Sequence, residues 1–154
     1  MKTDISMSIF GANTPAIGEF FTIPVLKNYN EIISILGECD EIDSYSSQIT
    51  GVAVADVKNR RYKCLIFGID PDNYFSLFDG ITIQQGRFLT PGERGGMITA
   101  SFAEQITKES QKKLTIGDPI LLNTLGRTGF KIREVPLVGI YTYTGMQLPM
   151  NELI

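Results

Sequence analysis

From Ile81 onward, glycine and proline break the chain at Gly86, Pro91, Gly92, Gly95, Gly96, Gly117, Pro119, Pro136 and Gly139, leaving short apolar runs. Runs of that length suit strands better than helices, so the second half is expected to be mostly β. One window escapes the punctuation. Ser101 and Glu104 read as a capping box for a helix reaching about Glu109, with Phe102, Ala103 and Ile106 on its inner side and Lys108, Lys112 and Lys113 suited to its C-terminal end. Gly117-Asp118-Pro119 reads as a tight turn into Ile120-Leu121-Leu122, and Phe130 to Tyr143 supplies one or two strands around Pro136 and Gly139.

The first half mixes both periods. Asp4 to Phe10 alternates, with Ile5, Met7 and Ile9 on one side, and is expected as the first strand. Phe20 to Val25 is a short extended segment. Asn28 and Glu31 read as reciprocal caps of a helix whose Tyr29, Ile32, Ile33 and Leu36 fall on one face, with Gly37 ending it and Glu38, Asp40, Glu41 and Asp43 in the loop beyond. Two strands, Ser44 to Val57 and Arg61 to Ile69, are expected to form a hairpin turning at Lys58-Asn59-Arg60, with Gly51 marking a bulge. The basic residues Lys58, Arg60, Arg61 and Lys63 keep its tip in water. Asp70 and Pro71 then open a short helix as cap and first residue, and the aromatic cluster around Tyr74, Phe75, Leu77 and Phe78 reads as core. The expected fold class is α+β. It has two lobes, a strand–helix–strand lobe over about 1–80 and a mostly β lobe carrying one helix over about 81–145, followed by a tail over 146–154.

Composition removes several function classes. At 154 residues the chain fits one domain. A net charge of −3 argues against nucleic acid as a partner. No stretch approaches the roughly 20 apolar residues that cross a bilayer. With no histidine, Ser-His and Cys-His nucleophile pairs and imidazole metal sites are excluded. Cys39 and Cys64 lack ligand spacing and read as two half-buried thiols, with a disulfide as the alternative. The glycines around Glu93-Arg94 form neither a phosphate loop nor a dinucleotide fingerprint, so any ATP must be bound by another domain. No motif singles out a pair of acids. No residue is therefore assigned a catalytic, cofactor-binding or metal-binding role. Asp70, Pro71, Gly86, Gly117 and Asp118 are assigned to architecture.

A set of short words in fixed order gives the chain a family likeness. Lys63-Cys64-Leu65-Ile66-Phe67-Gly68-Ile69-Asp70-Pro71-Asp72 resembles a strand ending in Gly-hydrophobic-Asp-Pro, and Gln85-Gly86-Arg87-Phe88-Leu89 a Gly-Arg-hydrophobic turn. Gly95 to Ala103 resembles a strand running into an alanine-bearing helix, Gly117-Asp118-Pro119-Ile120 a Gly-Asp turn, and Val138-Gly139-Ile140-Tyr141 a closing strand. Together these resemble the MacB-like periplasmic core domain of FtsX/LolC/LolE/MacB-type ABC transporter permeases.

That resemblance implies an extracytoplasmic domain, without catalytic residues or cofactor, tied to a membrane by flanking helices absent from this chain. It also implies a cytoplasmic ABC ATPase and a second permease subunit as partners, and a protein or lipoprotein as candidate substrate. A force-transmitting domain of this kind is expected to bring both ends to one lipid surface. The alternatives are a stand-alone binding module for a peptide or cell-wall enzyme, or a hydrolase with two acids in a deep pocket.

Overall fold

In a computed structural model the described residues are 27–78, 80–126, 129–144 and 152–154. The strand expected over Asp4 to Phe10 and the extended segment Phe20 to Val25 lie outside them. The chain divides into two compact units between Asp43 and Ser44. In the first unit, α1 spans Tyr29–Glu38. Asn28 does not cap it, because its backbone is left-handed (φ 62°) where a capping side chain needs an extended residue. Nor does Gly37 end it. The helix continues to Glu38, whose Oε1 accepts from Ser34 Oγ one turn back at 3.1 Å, and Cys39 is the first extended residue.

The second unit holds the strands β1 (Gln48–Val57), β2 (Arg60–Ile69), β3 (Ile81–Gly86), β4 (Gly96–Thr99), β5 (Pro119–Gly126), β6 (Gly129–Tyr143) and β7 (Glu152–Leu153), with helices α2 (Pro71–Leu77) and α3 (Ala100–Ser110). The fold is α+β. Lys58 and Asn59, at φ 51° and 65°, make the two-residue left-handed turn that suits the twist of a hairpin, and β1 pairs with β2 without interruption from Gln48↔Ile69 to Val57↔Arg60. Gly51 therefore marks no bulge. Irregularities fall instead in β3, between Ile83 and Gln85, and where β4 meets β6, between Gly96 and Met97.

Residues 129–143 form one strand, and its length decides the topology. The N-terminal part of β6 pairs antiparallel with β5 as far as Pro119↔Pro136, and its continuation pairs with β4 on one side and β3 on the other. Pro136 sits where the strand changes partner, a position at which a missing N–H is tolerated. The bonding order β6–β4–β7–β2–β1–β5 thus returns to β6 and closes a ring, with β3 added outside. The lobe boundary expected near Gly80 is not a break between sheets, because β7 returns to join β2, from before Gly80, to β4, from after it.

Alternation puts one set of side chains inside the ring: Ala53, Ala55 and Val57 of β1, Tyr62 and Cys64 of β2, Ile120 and Leu122 of β5, with Phe102, Ala103 and Ile106 of α3 packed against them. Each large side chain sealed there contributes about 1.5–3 kcal/mol. The opposite face carries Met97, Tyr141, Ile81 and Ile154, with Tyr74 of α2 over them. Phe75 packs beside them, whereas Leu77 and Phe78 of the same aromatic run are exposed, since only part of so short a helix faces the sheet. α3 takes its cap from Thr99, not Ser101. β4 runs into the helix without a loop, so the last strand residue, still extended, accepts from Phe102 N at 3.3 Å, and Ser101 lies in the first turn. Residues 152–154 of the expected tail are buried in the middle of the sheet. Of the two ends expected at one lipid surface, residues 1–26 lie outside the described residues and Ile154 is buried.

Candidate functional site: two clasps and a buried carboxylate

Three polar arrangements hold the ring together. The first joins the β1–β2 turn to the entry of β5. Gly117 takes φ 93°, which favours glycine, and donates its N–H to Leu137 O at 2.7 Å. The turn sets Asp118 to accept from Thr115 N at 2.7 Å and Thr115 Oγ1 at 3.0 Å through Oδ2, while Oδ1 meets Lys58 Nζ at 2.7 Å. Burial alone would push this carboxyl up, but Lys58 and the Thr115 donors hold it below its ordinary value. Lys58 is therefore not a solvated hairpin tip. Its side chain is only 23% exposed and it pins the turn to β5. Arg61, by contrast, reaches Asp56 at 3.6 Å from an exposed position.

The second arrangement is the loop between β3 and β4. Gly86 turns at φ 78° against β6, where a Cβ would strike Val138 O. Arg87 donates its backbone N–H to Val138 O at 3.2 Å and both guanidinium ends to Glu93, at 2.8 and 2.6 Å. Glu93 also accepts from Thr90 N at 3.0 Å and Thr90 Oγ1 at 2.9 Å. Arg87 first, then the Thr90 donors, hold the Glu93 carboxyl down to about 2. Gly139 leaves room for this loop, since a Cβ there would meet Arg87 O at 2.5 Å.

The third is the seam. β7 lies between β2, parallel at Leu65↔Glu152 and Ile66↔Leu153, and β4, antiparallel at Ile98↔Leu153. Met97 and Ile154 exchange backbone hydrogen bonds at 2.6 and 2.7 Å. Leu153 points into the ring core. Alternation then turns Glu152 to the other face, where it is 2% exposed and accepts from Tyr141 Oη at 3.4 Å. Burial pushes its carboxyl up, against the opposing pull of the Tyr143 and Tyr141 hydroxyls. Burial likewise raises the Tyr74 hydroxyl to about 12, with Tyr143 and Glu152 adding to it.

The residues expected to shape the fold occupy such positions. Asp70 Oδ1 accepts from Asp72 N at 3.3 Å to cap α2, Pro71 is the first residue of that helix, and Gly86, Gly117 and Asp118 make the turns described. Sequence reasoning missed Glu93, Gly139, Thr99 and Glu152. The spacing Thr90-x-x-Glu93 carries the signal of a capping pair, whereas Glu152 has no local signal at all.

A groove of about 630 Å³ between β3 and α3 has Ala103, Leu114 and Ile140 as its floor and one acidic residue, Glu104. A second, of about 420 Å³, holds Asp70 and Glu93, and both carboxylates are already engaged by the partners named above. Both cysteines are free. Cys64 is buried, its thiol donates to Ala53 O at 3.7 Å, and burial pushes it up to about 11. Among the described residues no helix is long and apolar enough to cross a membrane.

Compared with known families, residues 5–153 match the MacB-like periplasmic core domain. The chain belongs to that family. A MacB-like periplasmic core domain is a non-catalytic domain. No curated protein matches the chain. Among solved structures, it resembles the crystal structure of the extracellular domain of the noncanonic ABC-type transporter YknZ from Gram-positive bacteria, with a TM-score of 0.60 and 19% identity. The match covers 80% of this chain and 59% of that one, so this MacB-like domain spans little more than half the length of its structural neighbour. That likeness concerns the fold.

Proposed function

We propose that this chain is an extracytoplasmic domain of an ABC transporter permease subunit, on the periplasmic or extracellular side of the cytoplasmic membrane. It couples ATP hydrolysis by a cytoplasmic partner ATPase to substrate export, lipoprotein release or signalling outside the membrane. The observation that carries this reading is the family match over residues 5–153. The physical role is mechanical. A domain fixed to membrane helices turns a small tilt of those helices into a larger displacement of its far parts, and stiffness is what such a part needs. A closed ring with clasps at its turns supplies it, and a second permease subunit and a protein or lipoprotein substrate complete the expected assembly.

Sequencing the encoding gene on both sides of this segment tests the reading. Apolar spans of about 20 residues should flank it, and the full-length product should co-purify with an ATPase. A gene with no such span would sink it. The alternative, a stand-alone module recognising a peptide or cell-wall enzyme, draws on the exposed apolar side chains Val52, Phe130 and Ile132. A stable complex formed by the isolated domain would favour it.

A further inference from the structure

We propose that Glu152 is a proton-operated latch on the ring seam: the neutral carboxyl holds β7 between β2 and β4, and ionisation loosens that strand. This goes beyond the permease reading and rests on the fold alone.

β7 is two residues long and closes the ring, so whatever governs its seating governs closure. Its one titratable side chain is sealed from water. Among the described residues, the groups acting on that carboxyl are the Tyr143 and Tyr141 hydroxyls of β6, and Tyr74 of α2 stands beside them. β2 sets Leu65 and Ile66 against β7, with the exposed Lys63 further along the face of Leu65, and β4 sets Met97 and Ile98. Among the described residues, none of the groups acting on Glu152 is a cation. A hydroxyl at 3.4 Å is a long hydrogen bond and a weak partner for a charge. This setting accepts a neutral acid and disfavours a carboxylate. The ionised form regains water most directly when β7 leaves the seam, which among the described residues frees the short pairings of Glu152 and Leu153 and the Met97–Ile154 exchange.

The folded state therefore binds this proton more tightly than the unfolded chain does. Closure is favoured below the ordinary carboxyl value of 4.5 and weakens as pH rises through the raised one.

Amide hydrogen exchange at Met97 and Ile154 across about pH 5 to 8, corrected for intrinsic rates, reads the latch directly. In the full chain the opening equilibrium should grow by up to about tenfold per pH unit until the raised value is passed. Ala55, paired on both sides in β1, should stay better protected than Met97 and Ile154 at every pH, because the latch opens without unpairing it. Glu152→Gln, neutral at every pH, should flatten it. A profile that is flat in the parent chain, or unchanged in Glu152→Gln, overturns the proposal. Should Glu152→Gln fail to fold, Tyr141→Phe removes a hydroxyl that favours the charge and must extend the rise to higher pH; an unaltered profile in that variant is equally fatal.

Discussion

Tyr62 and Gly86 show how differently single residues serve this ring. Tyr62 is 4% exposed, stacks edge-on with Phe102 at 5.5 Å, and leaves its hydroxyl without a hydrogen-bond partner among the described residues. The ring does the packing and the hydroxyl adds desolvation cost, so Tyr62→Phe should leave stability unchanged or raise it by about 1 kcal/mol in urea unfolding. Gly86 is the reverse case. Its φ of 78° and the closeness of Val138 O leave no room for a Cβ, and Gly86→Ala should cost about 2 kcal/mol or more by the same measurement. A Gly86→Ala variant as stable as the parent would mean the β3–β4 loop can be rebuilt cheaply.

At the scale of elements, local chemistry was legible and long-range pairing was not. The Lys58-Asn59 turn, the Asp70-Pro71 cap and the inner face Phe102, Ala103 and Ile106 lie where their residue types predict, because each is decided within a few positions. The cap of α3 was misread because a strand running straight into a helix hands capping to Thr99. The seam was invisible in the sequence, since nothing in Glu152-Leu153-Ile154 says that β2 and β4 leave a gap one strand wide. Glutamate in particular reads as solvent-facing until alternation is fixed by the burial of Leu153 on the opposite face. Leu153 fills the ring core at its narrowest strand, so Leu153→Ala should cost about 2–4 kcal/mol and reduce amide protection at Met97. Normal protection there would show that β7 adds little to closure.

For the whole molecule, the acids pull the pH dependence in two directions. The Glu93 and Asp118 carboxyls are held below their ordinary values of 4.5 and 3.8. Their contribution is full above those values and is lost as pH falls through the lowered ones. Glu152 is raised, so its contribution is full below 4.5 and is lost as pH climbs. Denaturant unfolding from about pH 3 to about pH 9 should therefore show greatest stability near pH 4.5, falling as pH drops through the lowered values and as it climbs through the raised one. A curve that rises steadily to pH 9 would contradict the burial of Glu152 in the seam.

The position of β7 in the chain also governs how the protein must be made. Synthesis delivers β1 to β6 first, and the strand that fills the gap between β2 and β4 emerges after all of them. Until then the nascent polypeptide carries two bare strand edges, the kind that recruit foreign strands. They must stay about two strand spacings apart, some 9–10 Å, for the last one to slip between them.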